Sequence, residues 1–229
     1  MVSNAAAARL KRAIGSCDDV TPNVSTVRDY ATATKLAREA GFDGVEIHAA
    51  YGYLIDQFIR DRSNHATDAY GGTVQKRLRF LVEVTEAVAH AWSPGRVGVR
   101  LSPTADLNDM RDSNPTDTFA RATEELCRFD LAYLHVIEDR TLRKPRPSES
   151  QIAPAMRALF RGPFILNGGY DATTGAQAMR DGDSDLIAYA RSFLANPDLV
   201  TRFRLGASLN RPDPATFYSA GAAGYTLDS

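Results

Sequence analysis

Short apolar runs alternate with longer amphipathic ones along most of this chain, and that alternation constrains its fold more than any other feature. The apolar runs are Gly44–His48, Val97–Ser102, Leu131–Val136, Phe164–Asn167 and Leu186–Ala190. Each is short, bounded by turn or polar residues, and rich in Val, Ile, Leu or aromatic side chains, which is how a buried parallel strand reads. Helical spacing fills the gaps. Val27–Ala40 carries apolar or small residues at helical intervals and ends at Gly41, a natural C-cap. Gln75–Trp92 places Leu78, Leu81, Val82, Val84 and Val88 near one face and stops before Ser93-Pro94-Gly95. Pro115–Phe129 follows Ser113-Asn114, good capping residues ahead of a proline that a first helical turn tolerates. Ile152–Phe160, Thr174–Arg180 and Asp198–Leu205 complete the set, the last behind the start signal Asn196-Pro197-Asp198.

Strands alternating with helices predict an α/β fold with parallel strands. A (β/α)8 barrel and a doubly wound sheet both fit the alternation. No G-x-G-x-x-G follows the first strand, which counts against a dinucleotide-binding sheet. Polar residues gather instead at strand C-termini: His48 with Tyr51 and Tyr53, Arg100, His135 with Glu138, Asn167-Gly168-Gly169, and Arg191. In a barrel those positions share one mouth, where the chemistry of such folds takes place. The expectation is a TIM-barrel type fold, incomplete, with about five of its eight βα units.

A length of 229 residues suffices for one sizeable core. The formal net charge of -1 gives no reason to expect nucleic acid or an anionic membrane as partner. No apolar run approaches the ~20 residues that span a bilayer. Cys17 and Cys127 lie far apart without metal-ligand spacing, and His65 and His90 lack a second ligand at ligand spacing, so no metal site is expected. Two free thiols suit a reducing compartment, and the cytoplasm is the expected location. Met1 to Cys17 is Ala-rich and basic; it reads as a short helix or a disordered tail, with a weak likeness to a transit peptide. Residues 1–25 form an N-terminal extension and 26–229 the main domain.

Three constellations carry chemistry. An imidazole at His48 can donate to a developing oxyanion, and a phenol such as Tyr53, with a pKa near ~10, can protonate a carbanion as charge builds there. Taken alone, His48 reads sooner as a satisfied core histidine, and Tyr51 and Tyr53 as packing. Arg100 emerges from an apolar strand and needs an anion, because a buried guanidinium is costly unpaired. Asp106 or Glu138 could pair with it, or it could stabilise negative charge on a cofactor. Asn167-Gly168-Gly169 and Ala190-Arg191 follow the last two strands, where backbone N–H groups and an arginine fork can cradle a phosphate; ordinary turns are the alternative. Arg60-Asp61-Arg62-Ser63-Asn64 reads as a charged surface loop.

The motifs converge on one family. Ala40-Gly41-Phe42-Asp43-Gly44-Val45-Glu46-Ile47-His48, Gly52-Tyr53-Leu54-Ile55-Asp56-Gln57-Phe58, Thr67-Asp68-Ala69-Tyr70-Gly71-Gly72, Val97-Gly98-Val99-Arg100-Leu101-Ser102-Pro103, Leu131-Ala132-Tyr133-Leu134-His135-Val136, Asn167-Gly168-Gly169-Tyr170-Asp171, Ala195-Asn196-Pro197-Asp198-Leu199, Thr216-Phe217-Tyr218 and Gly224-Tyr225-Thr226 stand in one order. From about Tyr30 to Asp228 the chain resembles bacterial-type old yellow enzymes, the alkene reductases and NADH:flavin oxidoreductases.

The resemblance implies a TIM barrel that binds FMN non-covalently, is reduced by NAD(P)H, and reduces activated C=C bonds of α,β-unsaturated carbonyl or nitro compounds. It implies His48 as donor to the substrate oxygen and Tyr53 as proton donor. Tyr51 and Tyr218 would line the substrate site. Arg100 would lie beside the flavin pyrimidine, and Asn167, Gly168, Gly169, Ala190 and Arg191 would surround the phosphate. Tyr51 stands where the family usually has Asn or His, and Ala190 where it usually has glycine; the Ala190 Cβ would crowd a phosphate if that residue needs positive φ. The resemblance further implies that the His48 strand is the fourth of eight, with three units expected before it. On that basis the chain is a truncated enzyme, half of a split one completed by another chain or a homo-oligomer, or a non-catalytic binding module.

Overall fold

The computed structural model describes residues 24–105, 110–138 and 151–217. Cys17, Asp106, Tyr218, the Gly224-Tyr225-Thr226 motif and nearly all of the predicted N-terminal extension lie outside them. The described elements run α1 (Val24–Glu39), β1 (Val45–Ala49), α2 (Leu54–Ile59), α3 (Val74–Ala91), β2 (Val97–Leu101), α4 (Pro115–Leu126), β3 (Tyr133–Ile137), α5 (Ala153–Leu159), β4 (Phe164–Asn167), α6 (Ala172–Arg180), β5 (Leu186–Ile187), α7 (Arg191–Ala195) and α8 (Leu199–Leu205). The strands form one sheet in the order β1-β2-β3-β4-β5, every pair parallel. Sequential neighbours joined by helical crossovers are the repeating unit of a (β/α) barrel.

Each predicted strand is present. The fifth is shorter than expected, two residues, although Ala188 N–H still donates to Leu166 O at 2.8 Å. The helices stop and start near their sequence signals. Asn114 Oδ1 accepts from Asp117 N–H ahead of Pro115, and Asp171 forms a capping box with Thr174. The short helices α2 and α7 were not expected. Two turns or fewer leave too little periodicity to read.

The strands differ from the sequence expectation in one respect: they are two-faced. Ile47, Ala49, Val97, Val99, Leu101, Leu134, Val136, Phe164 and Leu166 are buried. They build the core with Leu78, Phe80, Leu81, Val84 and Val88 of α3, Phe119 and Leu126 of α4, and Met156 of α5. The intervening residues Glu46, His48, Arg100, Tyr133, His135 and Asn167 occupy the other face, because side chains alternate along a strand. The register aligns His48 with Arg100, Arg100 with His135, and His135 with Ile165. Among the described residues, no helix is long and apolar enough to cross a membrane.

Arg60-Asp61-Arg62-Ser63-Asn64, expected at the surface, is partly interior. Arg60 and Asn64 are buried. Arg60 Nε donates to Asp56 Oδ1 at 2.8 Å, and its Nη groups donate to the carbonyls of Ser102 and Pro103. The guanidinium also lies over the Phe119 ring, 5.0 Å from its centroid. Asp56 Oδ2 in turn accepts from Gly52 N–H at 2.9 Å. One ion pair thus ties the loop after β1 to the loop after β2. Asn64 Nδ2 donates to Phe58 O and Tyr70 O, which closes the loop on itself.

Truncating one partner of a buried pair strands the other charge, at a cost of about 3–5 kcal/mol. Asp56→Ala should therefore lower unfolding free energy in urea by about that amount. The double variant with Arg60→Met should lose less than the sum of the single losses. Strictly additive losses would show that the two side chains do not act as a unit.

Candidate active site

The predicted pair at the end of β1 is brought together by an unusual turn. Tyr51 has φ 56 and Gly52 φ 74, so two successive left-handed residues reverse the chain just after Ala50. That conformation costs a non-glycine residue roughly 1–2 kcal/mol and needs support from its surroundings. Tyr51 N–H donates to Ser102 Oγ at 2.8 Å, Gly52 N–H to Asp56, and Gln57 Nε2 to Gly52 O at 2.7 Å. The turn sets Tyr53 at the N-cap of α2 and places its ring 4.9 Å from that of His48, centroid to centroid, tilted by 54°. His48 and Tyr53 are each half-buried, the state a group needs if it is to meet a ligand and still be held by the fold.

Arg100, the register partner of His48, ends β2 on the same face. Its Nε is buried and, among the described residues, has no hydrogen-bond partner. Its guanidinium lies 6.0 Å from the centroid of the Tyr51 ring. Glu138, one of its proposed partners, is used elsewhere: its carboxylate accepts from Ile152 N–H at 2.9 Å and Ala153 N–H at 3.2 Å, anchoring the start of α5. Arg100 therefore keeps an unsatisfied donor beside the His48–Tyr53 pair.

Below this layer lies a group that the sequence reading missed. Glu46 Oε2 is 2.9 Å from His135 Nδ1, and the Tyr133 side chain faces the same carboxylate. Burial pushes the Glu46 carboxyl up, but His135, Arg100 and the Tyr133 hydrogen bond outweigh it and hold the carboxyl below its ordinary value. Burial and the neighbouring Glu46 charge push the Tyr133 phenol up to about 12. The signal was available. Glu46 and His48 alternate with Ile47 and Ala49, and Tyr133 and His135 with Leu134 and Val136, which is the period of a two-faced strand.

On the other side, Gly168 has φ 134 and Gly169 φ 74, conformations that side chains rarely adopt, so these glycines are needed for the turn after β4. Asn167 Nδ2 donates to Ala188 O at 2.7 Å, so its amide joins the ends of β4 and β5. Ala190 takes φ -110 at the N-cap of α7, so its Cβ brings no backbone strain. Arg191 is the first residue of that helix and is exposed.

The model of the NADH:flavin oxidoreductase / NADH oxidase family matches residues 16–210. The chain is 47% identical over 213 residues to putative 12-oxophytodienoate reductase 10 of Oryza sativa subsp. japonica, covering 90% of this chain and 66% of that protein. It is 46% identical to 12-oxophytodienoate reductase 2 of Arabidopsis thaliana, covering 87% of this chain and 54% of the relative. Among solved structures, morphinone reductase in complex with tetrahydroNAD superposes with a TM-score of 0.81 at 43% identity, over 88% of this chain and 54% of that one. An old yellow enzyme homologue from Zymomonas mobilis gives 0.84 at 39% identity, over 90% and 59%. The chain thus spans between about half and two thirds of the length of these proteins.

Burial and the Arg100 charge depress the His48 pKa; Glu46 opposes this and His135 adds to it. The folded imidazole then binds its proton less well than the unfolded one. Acidification below the unfolded value of about 6.5 therefore favours the unfolded chain, and the stability present at neutral pH is lost as pH falls. Glu46, held low, acts in the same direction at lower pH. Thermal melts should show Tm falling from neutral to mildly acidic pH, with a shallower fall in His48→Asn. Parallel profiles for the two proteins would refute the assignment.

Proposed function

The chain belongs to the NADH:flavin oxidoreductase / NADH oxidase family, and on that premise we propose that it binds FMN and takes part in the NAD(P)H-dependent reduction of activated C=C bonds. The observation that carries this reading is the buried, unpartnered Nε of Arg100 on the same face as the His48–Tyr53 pair. That face presents a fixed cation next to a donor and a phenol. The residues fit FMN in two respects. Arg100 retains a donor for an electron-rich ring edge, and the Gly168-Gly169 turn, at positive φ, puts no side chain between its backbone N–H groups and a phosphate. Bound FMN supplies a two-electron carrier between the nicotinamide and the β-carbon of an α,β-unsaturated carbonyl or nitro compound.

The chain's own residues divide the remaining work. His48 donates a hydrogen bond to the substrate oxygen, where negative charge gathers. A neutral imidazole suits this role, and its depressed pKa favours the neutral form. Tyr53, set beside His48 by the left-handed turn, gives its hydroxyl proton to the carbon next to the carbonyl. Tyr51 lines the same space; Tyr218, given to the substrate site by the resemblance, lies outside the described residues. Arg100 would lie beside the flavin pyrimidine. Gly168, Gly169, Ala190 and Arg191 would hold the phosphate by backbone N–H groups and the Arg191 fork, while Asn167 braces that corner through Ala188.

The substrate is a small activated alkene. Among the described residues β1 and β5 are the sheet edges, and Leu186 on β5 is 52% exposed. This favours a complementing chain or a second copy as a macromolecular partner. Cys127 is a free thiol, in keeping with the cytoplasm.

Added FMN should lose fluorescence and acquire a resolved, protein-shifted absorbance band on binding; no change in either would remove the reading. With NADPH and cyclohexenone, Tyr53→Phe should lower turnover by roughly 10²–10⁴-fold while FMN still binds. His48→Ala should lower it by roughly 10²–10³-fold. Turnover equal to the unsubstituted protein would sink the roles given to these two residues.

A further inference from the structure

The polar face of β2 has a notch at Gly98, and the notch is filled from the next strand. A Cβ at position 98 would lie 2.2 Å from the Tyr133 ring, so the ring rests directly on the β2 backbone. From there the Tyr133 ring faces Glu46 on β1, and His135 Nδ1 holds the same carboxylate at 2.9 Å. Two side chains of β3 thus cross β2 to one side chain of β1. Arg100 is the next residue of β2 on this face, flanked in register by His48 and His135. Its stem therefore leaves the sheet immediately beyond the crossing.

The crossing bears on Arg100 by position and by charge. Among the paired residues of β1 to β4, Glu46 is the one carboxylate. The groups that face it are His48 on its own strand, Arg100 on β2, and Tyr133 and His135 on β3. Among the described residues Arg100 Nε has no hydrogen-bond partner, and neither has His135 Nε2, although His135 is only 7% exposed. The Tyr51 ring, 6.0 Å away, and the Glu46 charge act on the guanidinium.

We propose that Glu46, tied to Tyr133 and His135 across the Gly98 notch, is a positioning residue for Arg100 and sets the positive field that Arg100 presents at the strand ends. The strap itself stands without any cofactor. Its effect on a flavin rests on the FMN reading above. With a flavin beside Arg100, the Glu46 charge offsets part of the arginine's preference for the more negative, reduced form. Glu46 thereby tunes the potential without touching the ring.

Two measurements on the full chain separate the strap from the FMN reading. In the first, without FMN, the ¹H–¹⁵N signal of Arg100 Nε is identified by its loss in Arg100→Lys. It should move in Glu46→Gln and in Tyr133→Phe, with most other arginine signals unmoved. A stationary Arg100 signal overturns the proposal. In the second, the midpoint potential of FMN-loaded protein should rise in Glu46→Gln. Reduced FMN should gain about tenfold in binding relative to oxidised FMN, which is about 30 mV for a two-electron couple. An unchanged potential also overturns the proposal. If the unsubstituted protein takes up no FMN, the flavoprotein reading falls and the arginine signal alone decides the strap. Should Glu46→Gln fail to fold, Tyr133→Phe carries both arms: it removes one donor from Glu46, moves the Arg100 signal, and lowers the potential.

Discussion

The parallel register of β1, β2 and β3 is the constraint on which the rest of this molecule depends. It places His48 beside Arg100 and Arg100 beside His135, so that three strands separated by long helical crossovers contribute one row of side chains. A slip of one residue in any strand would turn its polar residues into the apolar core and its Val and Leu residues out of it. The apolar face prevents that slip. Ile47, Val99, Leu134 and Val136 are buried against α3, α4 and α5, and their burial fixes which residues are left for the other face. The hydrophobic core thus specifies the site by exclusion.

Register alone does not orient the ligand-facing groups; buried polar contacts do. Asp56 and Arg60 join the loops after β1 and β2, and through Gly52 and Ser102 they support the left-handed Tyr51. That strained turn is what swings Tyr53 onto His48. A lower set of contacts, from Glu46 to Tyr133 and His135, lies beneath Arg100. The Asp56–Arg60 pair uses charged groups that would be costly to bury singly and that become tolerable because they are paired and hydrogen-bonded, whereas Glu46 keeps access to solvent.

Much of this was legible beforehand, for identifiable reasons. Parallel strands, helices with caps at Asn114 and Asp171, and the clustering of His48, Tyr53 and Arg100 at strand ends all follow from local patterns a few residues long. The failures are equally specific. Arg60 and Asn64 look like surface residues because charge suggests solvent, and only the partners Asp56, Ser102, Phe58 and Tyr70 make them interior. Glu46 and Tyr133 sit in short strands whose apolar members dominated the reading. Their contact spans 87 residues of sequence, and no local pattern encodes it. The bond from the Asn167 amide to Ala188, which joins the ends of β4 and β5, is likewise a contact that no local pattern encodes.

By itself the sequence determined the alternation of strand and helix, the family, and the identity of the groups able to donate protons and hydrogen bonds. These depend on residue type and on spacing within one turn or one strand. Only the tertiary structure decided which groups meet. It set Tyr53 over His48 through two left-handed residues, left Arg100 Nε without a partner, and allowed Tyr133 to cross β2 where Gly98 has no side chain. The physical reason is that such contacts join residues distant in the chain, and their geometry is fixed by packing against surfaces that exist only once the sheet has formed.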